Sequence, residues 1–105
     1  LTHHPRAPLG MEGGTTFHFV TDGIDAALKR AKASAKDKDV RIGGGAATIR
    51  EYLKAGLVDE MHISLAPVLL GKGEPLFHGI DLTKAGLKTV EQVAGENTTH
   101  YVLKR

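Results

Sequence analysis

The stretch Val40-Arg41-Ile42-Gly43-Gly44-Gly45-Ala46-Ala47-Thr48 sets three consecutive glycines between a β-branched run and a helix-forming run. Without Cβ atoms such a backbone approaches an anion closely. The free N–H groups of a helix's first turn, with the positive end of its dipole, then point at that anion. The chemistry on offer is the holding of a phosphate or pyrophosphate by Gly43, Gly44, Gly45, Ala46, Ala47 and Thr48. A turn that only packs a helix against a sheet needs fewer glycines than this. The two common nucleotide-loop patterns are incomplete: Gly43 and Gly45 fit the start of G-x-G-x-x-G, Thr48 stands at its third glycine, and no Gly-Lys-Ser/Thr follows.

A second cluster of donors is Thr2-His3-His4-Pro5-Arg6, at what reads as the end of a strand running into a loop. Ligands of α/β sheets lie across the carboxyl ends of strands, so a cationic loop there suits a phosphate. Exposed polar loop residues account for the same segment equally well. Adjacent residues on a strand point to opposite faces, so His3 and His4 do not share one metal easily. The other histidines, His18, His62, His78 and His100, are dispersed and show no ligand spacing, and no metal site is expected. With no G-x-S-x-G elbow and no cysteine, no covalent nucleophile is visible. Asp59 and Glu60, the one paired carboxylate, stand at the start of a strand and read as structural.

The elements that must position these groups follow from periodicity. Thr15 to Val20 alternates β-branched and aromatic residues and predicts a strand ending at Thr21-Asp22-Gly23. Asp22 is the expected N-cap of a helix whose apolar face is Ile24, Ala27, Leu28, Ala31 and Ala35, with Lys29, Arg30, Lys32 and Lys36 on its solvated side. Val40-Arg41-Ile42 is a short strand, and a second helix starts near Ala46, carries Ile49, Tyr52 and Leu53, and ends at Gly56. Leu57 to Leu70 reads as a long strand region bent at Pro67. Leu87 to Arg105 alternates on both sides of Gly95-Glu96-Asn97 and predicts a terminal hairpin. The order strand, helix, strand, helix, strand, hairpin predicts an α/β fold with parallel pairs in the middle and right-handed crossovers.

Composition bounds the function classes. The 105 residues make at most one small domain, and the absence of cysteine excludes a disulfide scaffold. Lys and Arg number 14 against 12 acidic residues, and the scattered basic side chains argue against nucleic-acid binding. No apolar run reaches the roughly 20 residues of a membrane helix, so a soluble protein is expected, and the absence of cysteine fits a reducing cytoplasm, as it also fits many secreted bacterial proteins.

Several segments together resemble one family. Arg41-Ile42-Gly43-Gly44-Gly45-Ala46-Ala47-Thr48, Ala55-Gly56-Leu57-Val58-Asp59-Glu60-Met61-His62-Ile63, Ala66-Pro67-Val68-Leu69-Leu70-Gly71-Lys72-Gly73 and Leu76-Phe77 are similar, in order and spacing, to the C-terminal half of the dihydrofolate-reductase-like fold in the riboflavin-biosynthesis reductase (RibD C-terminal) family. The resemblance implies a three-layer α/β fold with a mixed, mostly parallel sheet and a C-terminal antiparallel hairpin. It implies that residues 1–105 are the C-terminal part of one such domain, with the family's N-terminal strands lying outside them.

The activity implied is an NADPH-dependent reductase passing hydride to a pyrimidine- or pteridine-like small molecule, as 5-amino-6-(5-phosphoribosylamino)uracil reductases do. Gly43, Gly44, Gly45, Ala46, Ala47 and Thr48 would cradle the cofactor pyrophosphate, and Thr2, His3, His4 and Arg6 would sit by the adenosine ribose and its 2′-phosphate. The family's pyrimidine reductases carry an acidic residue just before the glycine pair, and this chain has Gly43 there, which implies a different substrate. The alternative is a non-catalytic nucleotide-binding or dimerisation module that keeps the fold. The near-continuous apolar run Met61 to Leu70 reads as a central strand, and covering it calls for further strands or a second copy, so a homodimer is expected.

Overall fold

The apolar spacing of the first helical run does produce a helix, α1, Ile24–Ala35, and the run after the glycines produces α2, Ala46–Lys54. The computed structural model describes all residues 1–105 and divides into two compact units, Leu1–Gly43 and Gly44–Arg105. No helix is long and apolar enough to cross a membrane.

In the first unit, β1 (Leu9–Gly10) and β2 (Thr16–Phe17) form a short antiparallel pair in which Leu9 faces Phe17 and Gly10 faces Thr16. A single 3-10 turn, Glu12–Gly14, joins them. On α1 the side toward the unit carries Ile24, Ala27, Leu28, Ala31 and Ala35, all half-buried, while Lys29, Arg30, Lys32 and Lys36 are exposed. The helix begins at Gly23 and no side chain caps it, so Asp22 does not fill the capping role expected of it. No residue of this unit is buried.

In the second unit, α2 closes with a glycine-terminated cap of the Schellman type. Gly56 takes φ +71°, its N–H donates to the Leu53 carbonyl at 3.1 Å, and the Leu57 N–H donates to the Tyr52 carbonyl at 3.0 Å. Strands β3 (Glu60–Leu65), β4 (Lys88–Ala94) and β5 (Thr99–Lys104) then form a three-stranded antiparallel sheet in the order β3-β5-β4. The registers Ser64 to His100 and Ile63 to Tyr101 fix which residues share a face. His62, Ser64, His100 and Val102 lie on one side, and Met61, Ile63, Tyr101 and Leu103 on the other. The buried residues are Tyr52, Leu53, Val58, Leu87 and Leu103, so this small core belongs wholly to the second unit.

Arg105 fastens the chain's last residue beside that core. Its Nε donates to the Val58 carbonyl at 2.8 Å and its Nη2 to the Gly56 carbonyl at 2.5 Å, with Asp59 at 3.6 Å. Arg50 of α2 does the same for the loop opposite, donating to the Pro75 carbonyl at 2.6 Å and pairing with Glu74 at 2.7 Å.

The architecture corrects the expected fold class. Both sheets are antiparallel, and there is no mostly parallel sheet between helical layers. The parallel reading required Val40–Ile42 to be a strand, and that segment makes no ladder, so the strand–helix–strand crossovers it would have anchored do not form. The strand expected over Thr15–Val20 is ladder only at Thr16 and Phe17. The long region Leu57–Leu70 narrows to Glu60–Leu65, because beyond it the Val68 N–H turns back to the Ala66 carbonyl around Pro67 at 2.9 Å.

Candidate functional site

The glycine turn delivers α2 with its N-terminus open. Gly45 is the N-cap at φ +58° and ψ 129°, a backbone that L side chains rarely adopt, and it offers no side-chain cap. The first intrahelical bond runs from the Ile49 N–H to the Gly45 carbonyl at 3.1 Å. The N–H groups of Ala46, Ala47 and Thr48 therefore precede that ladder and carry the positive end of the helix dipole. A Cβ built on Gly43 or Gly44 meets nothing within 4 Å, and one on Gly45 meets only Thr48 Oγ1 at 3.9 Å. Packing thus does not require three glycines here. Three backbone donors stand at a helix start that no side chain caps.

The other expected residues lie in the first unit. Thr2 donates its N–H to the Val20 carbonyl at 2.9 Å, and its hydroxyl oxygen accepts the His4 N–H at 3.2 Å, which folds the segment back on itself. The residues from Leu1 to Pro8 form no strand. His3, His4 and Arg6 are exposed. The Arg6 guanidinium lies over the Phe19 ring, 5.3 Å from its centroid, in cation–π contact. Phe19 in turn lines an open depression of about 430 Å³ with Val20, Asp22, Lys29 and Arg30. Arg30 reaches His18, with Nη2 3.0 Å from Nδ1. Lys29 and Arg30 read in the sequence as a solvated helix face, and their place in a depression beside an aromatic ring had no signal there. Gly43 closes the first unit, which also holds the Thr2–Arg6 segment, whereas Gly44, Gly45 and α2 belong to the second, and the geometry of each unit is its own.

The sequence also gave no hint of a cluster on the sheet. His62 of β3 and His100 of β5 come together with Nε2 of the first 3.2 Å from Nδ1 of the second, their ring centroids 5.3 Å apart. Ser64 Oγ lies 3.0 Å from the same Nδ1, and Thr98 Oγ1 lies 3.1 Å from His100 Nε2. The antiparallel register makes this meeting, and no spacing along the chain could have announced it. The paired carboxylates Asp59 and Glu60 face cations instead, Arg105 at 3.6 Å and Lys104 at 4.0 Å.

Comparison with known proteins places the chain. The family model described as the RibD C-terminal domain matches residues 10–101. Two relatives from Bacillus subtilis (strain 168) are similar to it. "Uncharacterized protein YwjB" is 36% identical over 85 residues, which is 80% of this chain and 48% of that protein. "Uncharacterized protein YyaP" is 41% identical over 59 residues, 56% of this chain and 31% of that protein. The chain therefore spans about half the length of the first relative and about a third of the second.

Proposed function

Since this chain belongs to the RibD C-terminal domain family, whose members are reductase-type domains, we propose that it serves an NADPH-dependent reduction of a pyrimidine- or pteridine-like small molecule. The observation that carries the reading is the uncapped, glycine-opened N-terminus of α2. The backbone N–H groups of Ala46, Ala47 and Thr48 bind the pyrophosphate, and Gly43, Gly44 and Gly45 let it approach without a side chain in the way. Bound NADPH supplies the hydride that the reduction consumes. The residues of the chain bind and orient: a diphosphate fixed at a helix end sets where the rest of the cofactor lies.

Thr2, His3, His4 and Arg6 take the 2′-phosphate in this reading, an assignment supported by the family resemblance and by the exposed guanidinium of Arg6. Charge-assisted contacts contribute about 1.5–3 kcal/mol each, enough for a preference of tenfold or more. NADPH is accordingly expected to bind at least about tenfold more tightly than NADH. Calorimetry with each cofactor checks this, and equal dissociation constants would remove the 2′-phosphate role of that segment.

A homodimer is part of the same proposal. Strand β3 is an edge, paired only with β5, and its continuation leaves Leu65, Val68, Leu69 and Leu70 exposed, Leu69 fully so. Open ladder groups beside an apolar patch recruit a further strand or surface. Sedimentation of the purified chain is expected to give a species above the 11.2 kDa of one copy. A monodisperse, well-folded monomer would sink the dimer.

A further inference from the structure

We propose that His62 and His100 form a two-imidazole clip for a divalent transition-metal ion of the zinc type, on the exposed face of the three-stranded sheet. The first argument is distance. Two imidazole nitrogens bound to zinc at about 2.0–2.1 Å, separated by the tetrahedral angle, stand about 3.3–3.4 Å apart. His62 Nε2 and His100 Nδ1 stand 3.2 Å apart, so both nitrogens reach one ion with little movement of either ring.

The second argument is the tautomer. With the proton of neutral His100 on Nε2, that N–H donates to the Thr98 hydroxyl oxygen at 3.1 Å and Nδ1 presents its lone pair. This is the arrangement found behind metal-bound histidines, whose second ring nitrogen donates to a fixed acceptor that orients the ring. Thr98 is itself held by the hairpin turn, where its carbonyl accepts the Gly95 N–H at 2.7 Å, so the acceptor does not drift.

The third argument is crowding at that lone pair. His62 Nε2 and Ser64 Oγ both approach the single Nδ1 of His100, at 3.2 and 3.0 Å. One lone pair does not serve two hydrogen-bond donors well. A cation replaces this competition by taking the lone pairs of both rings, with the Ser64 hydroxyl placed beside it as a further oxygen donor.

No third His, Cys, Asp or Glu joins the pair. The remaining coordination positions fall to Ser64 and water, and such an open site suits an exchangeable ion better than a structural one. Imidazole nitrogen favours zinc, copper and nickel over magnesium and calcium, which prefer oxygen donors. The registered strands supply rigidity, since Ser64 and His100 are direct cross-strand partners.

The test is a titration of the tag-free, metal-free protein with zinc chloride by calorimetry, with magnesium chloride as the comparison ion. One saturable zinc site per chain is expected and no magnesium site. His62→Gln and His100→Gln should each weaken zinc binding by more than about tenfold, and Thr98→Val by about tenfold through the loss of orientation. His78→Gln, an exposed histidine elsewhere in the unit, should leave it unchanged. Absence of saturable zinc binding, or binding that both histidine variants retain, overturns the proposal. Should a variant misfold by circular dichroism, the imidazole NMR signals of the unaltered protein decide. Zinc must then shift those of His62 and His100 and leave those of His78 in place, and any other pattern counts against the clip.

Discussion

Leu53→Ala is expected to unfold the second compact unit at temperatures where the unaltered protein is folded. Leu53 is 2% exposed, and the whole buried set numbers only Tyr52, Leu53, Val58, Leu87 and Leu103. Truncating a buried leucine to alanine costs about 2–5 kcal/mol through lost transfer energy and the cavity left behind. Small domains have about 5–15 kcal/mol in total, and a five-residue core belongs at the lower end of that range. Leu53 is also on α2, so its loss loosens the helix whose first turn forms the proposed anion site. A thermal melt by circular dichroism checks this, with Leu57→Ala on a half-buried residue as the milder comparison. Coincident melts for Leu53→Ala and the unaltered chain would mean that the core lies elsewhere.

The second large effect is expected at the glycine turn. Gly45→Val places a β-branched residue at φ +58°, a conformation costing about 1–3 kcal/mol for a non-glycine residue, and turns a side chain toward the open donors. Loss of measurable NADPH binding is the expected result, with the sheet and hairpin retained. Gly44→Ala separates strain from obstruction, because Gly44 has no positive φ and its added methyl meets nothing in the protein within 4 Å. That variant should melt like the unaltered chain and still bind the cofactor more weakly. If both variants bind NADPH with unaltered affinity, the turn serves packing and the cofactor reading of Gly43–Thr48 falls.

Helical elements were legible in the sequence because their information is local. The spacing of Ile24, Ala27, Leu28, Ala31 and Ala35 is read within one segment, and so is the stop at Gly56, where the positive φ sits in the cap that the sequence implies. The hairpin around Gly95-Glu96-Asn97 is local in the same sense. Strand partnership is not. Val40-Arg41-Ile42 has the residues of a strand and no partner, whereas β5 finds two partners and becomes the middle of its sheet. β-propensity reports fitness for a pleated surface and says nothing of what lies alongside. That gap produced the mistaken parallel sheet, and it also hid the meeting of His62 with His100, which exists only through register. The glycine turn was visible because its three residues and the helix they open are contiguous.

The placement of β5 between β3 and β4 also sets the order in which the second unit assembles. β4 and β5 adjoin across a short turn closed by the Gly95–Thr98 bond, so bringing them together closes few residues. β3 meets β5 only after the segment from Leu65 to Thr99 has been looped, which costs more chain entropy. The hairpin is thus the natural nucleus and β3 the late arrival. Substitutions in the Gly95–Thr98 turn should register in the folding rate, while those on β3 should register in the unfolding rate. Until β3 docks, the backbone groups that β3 and β5 share in the finished sheet stay unpaired, and the hairpin presents a free edge. Folding speed and resistance to aggregation are therefore governed by the same closure step.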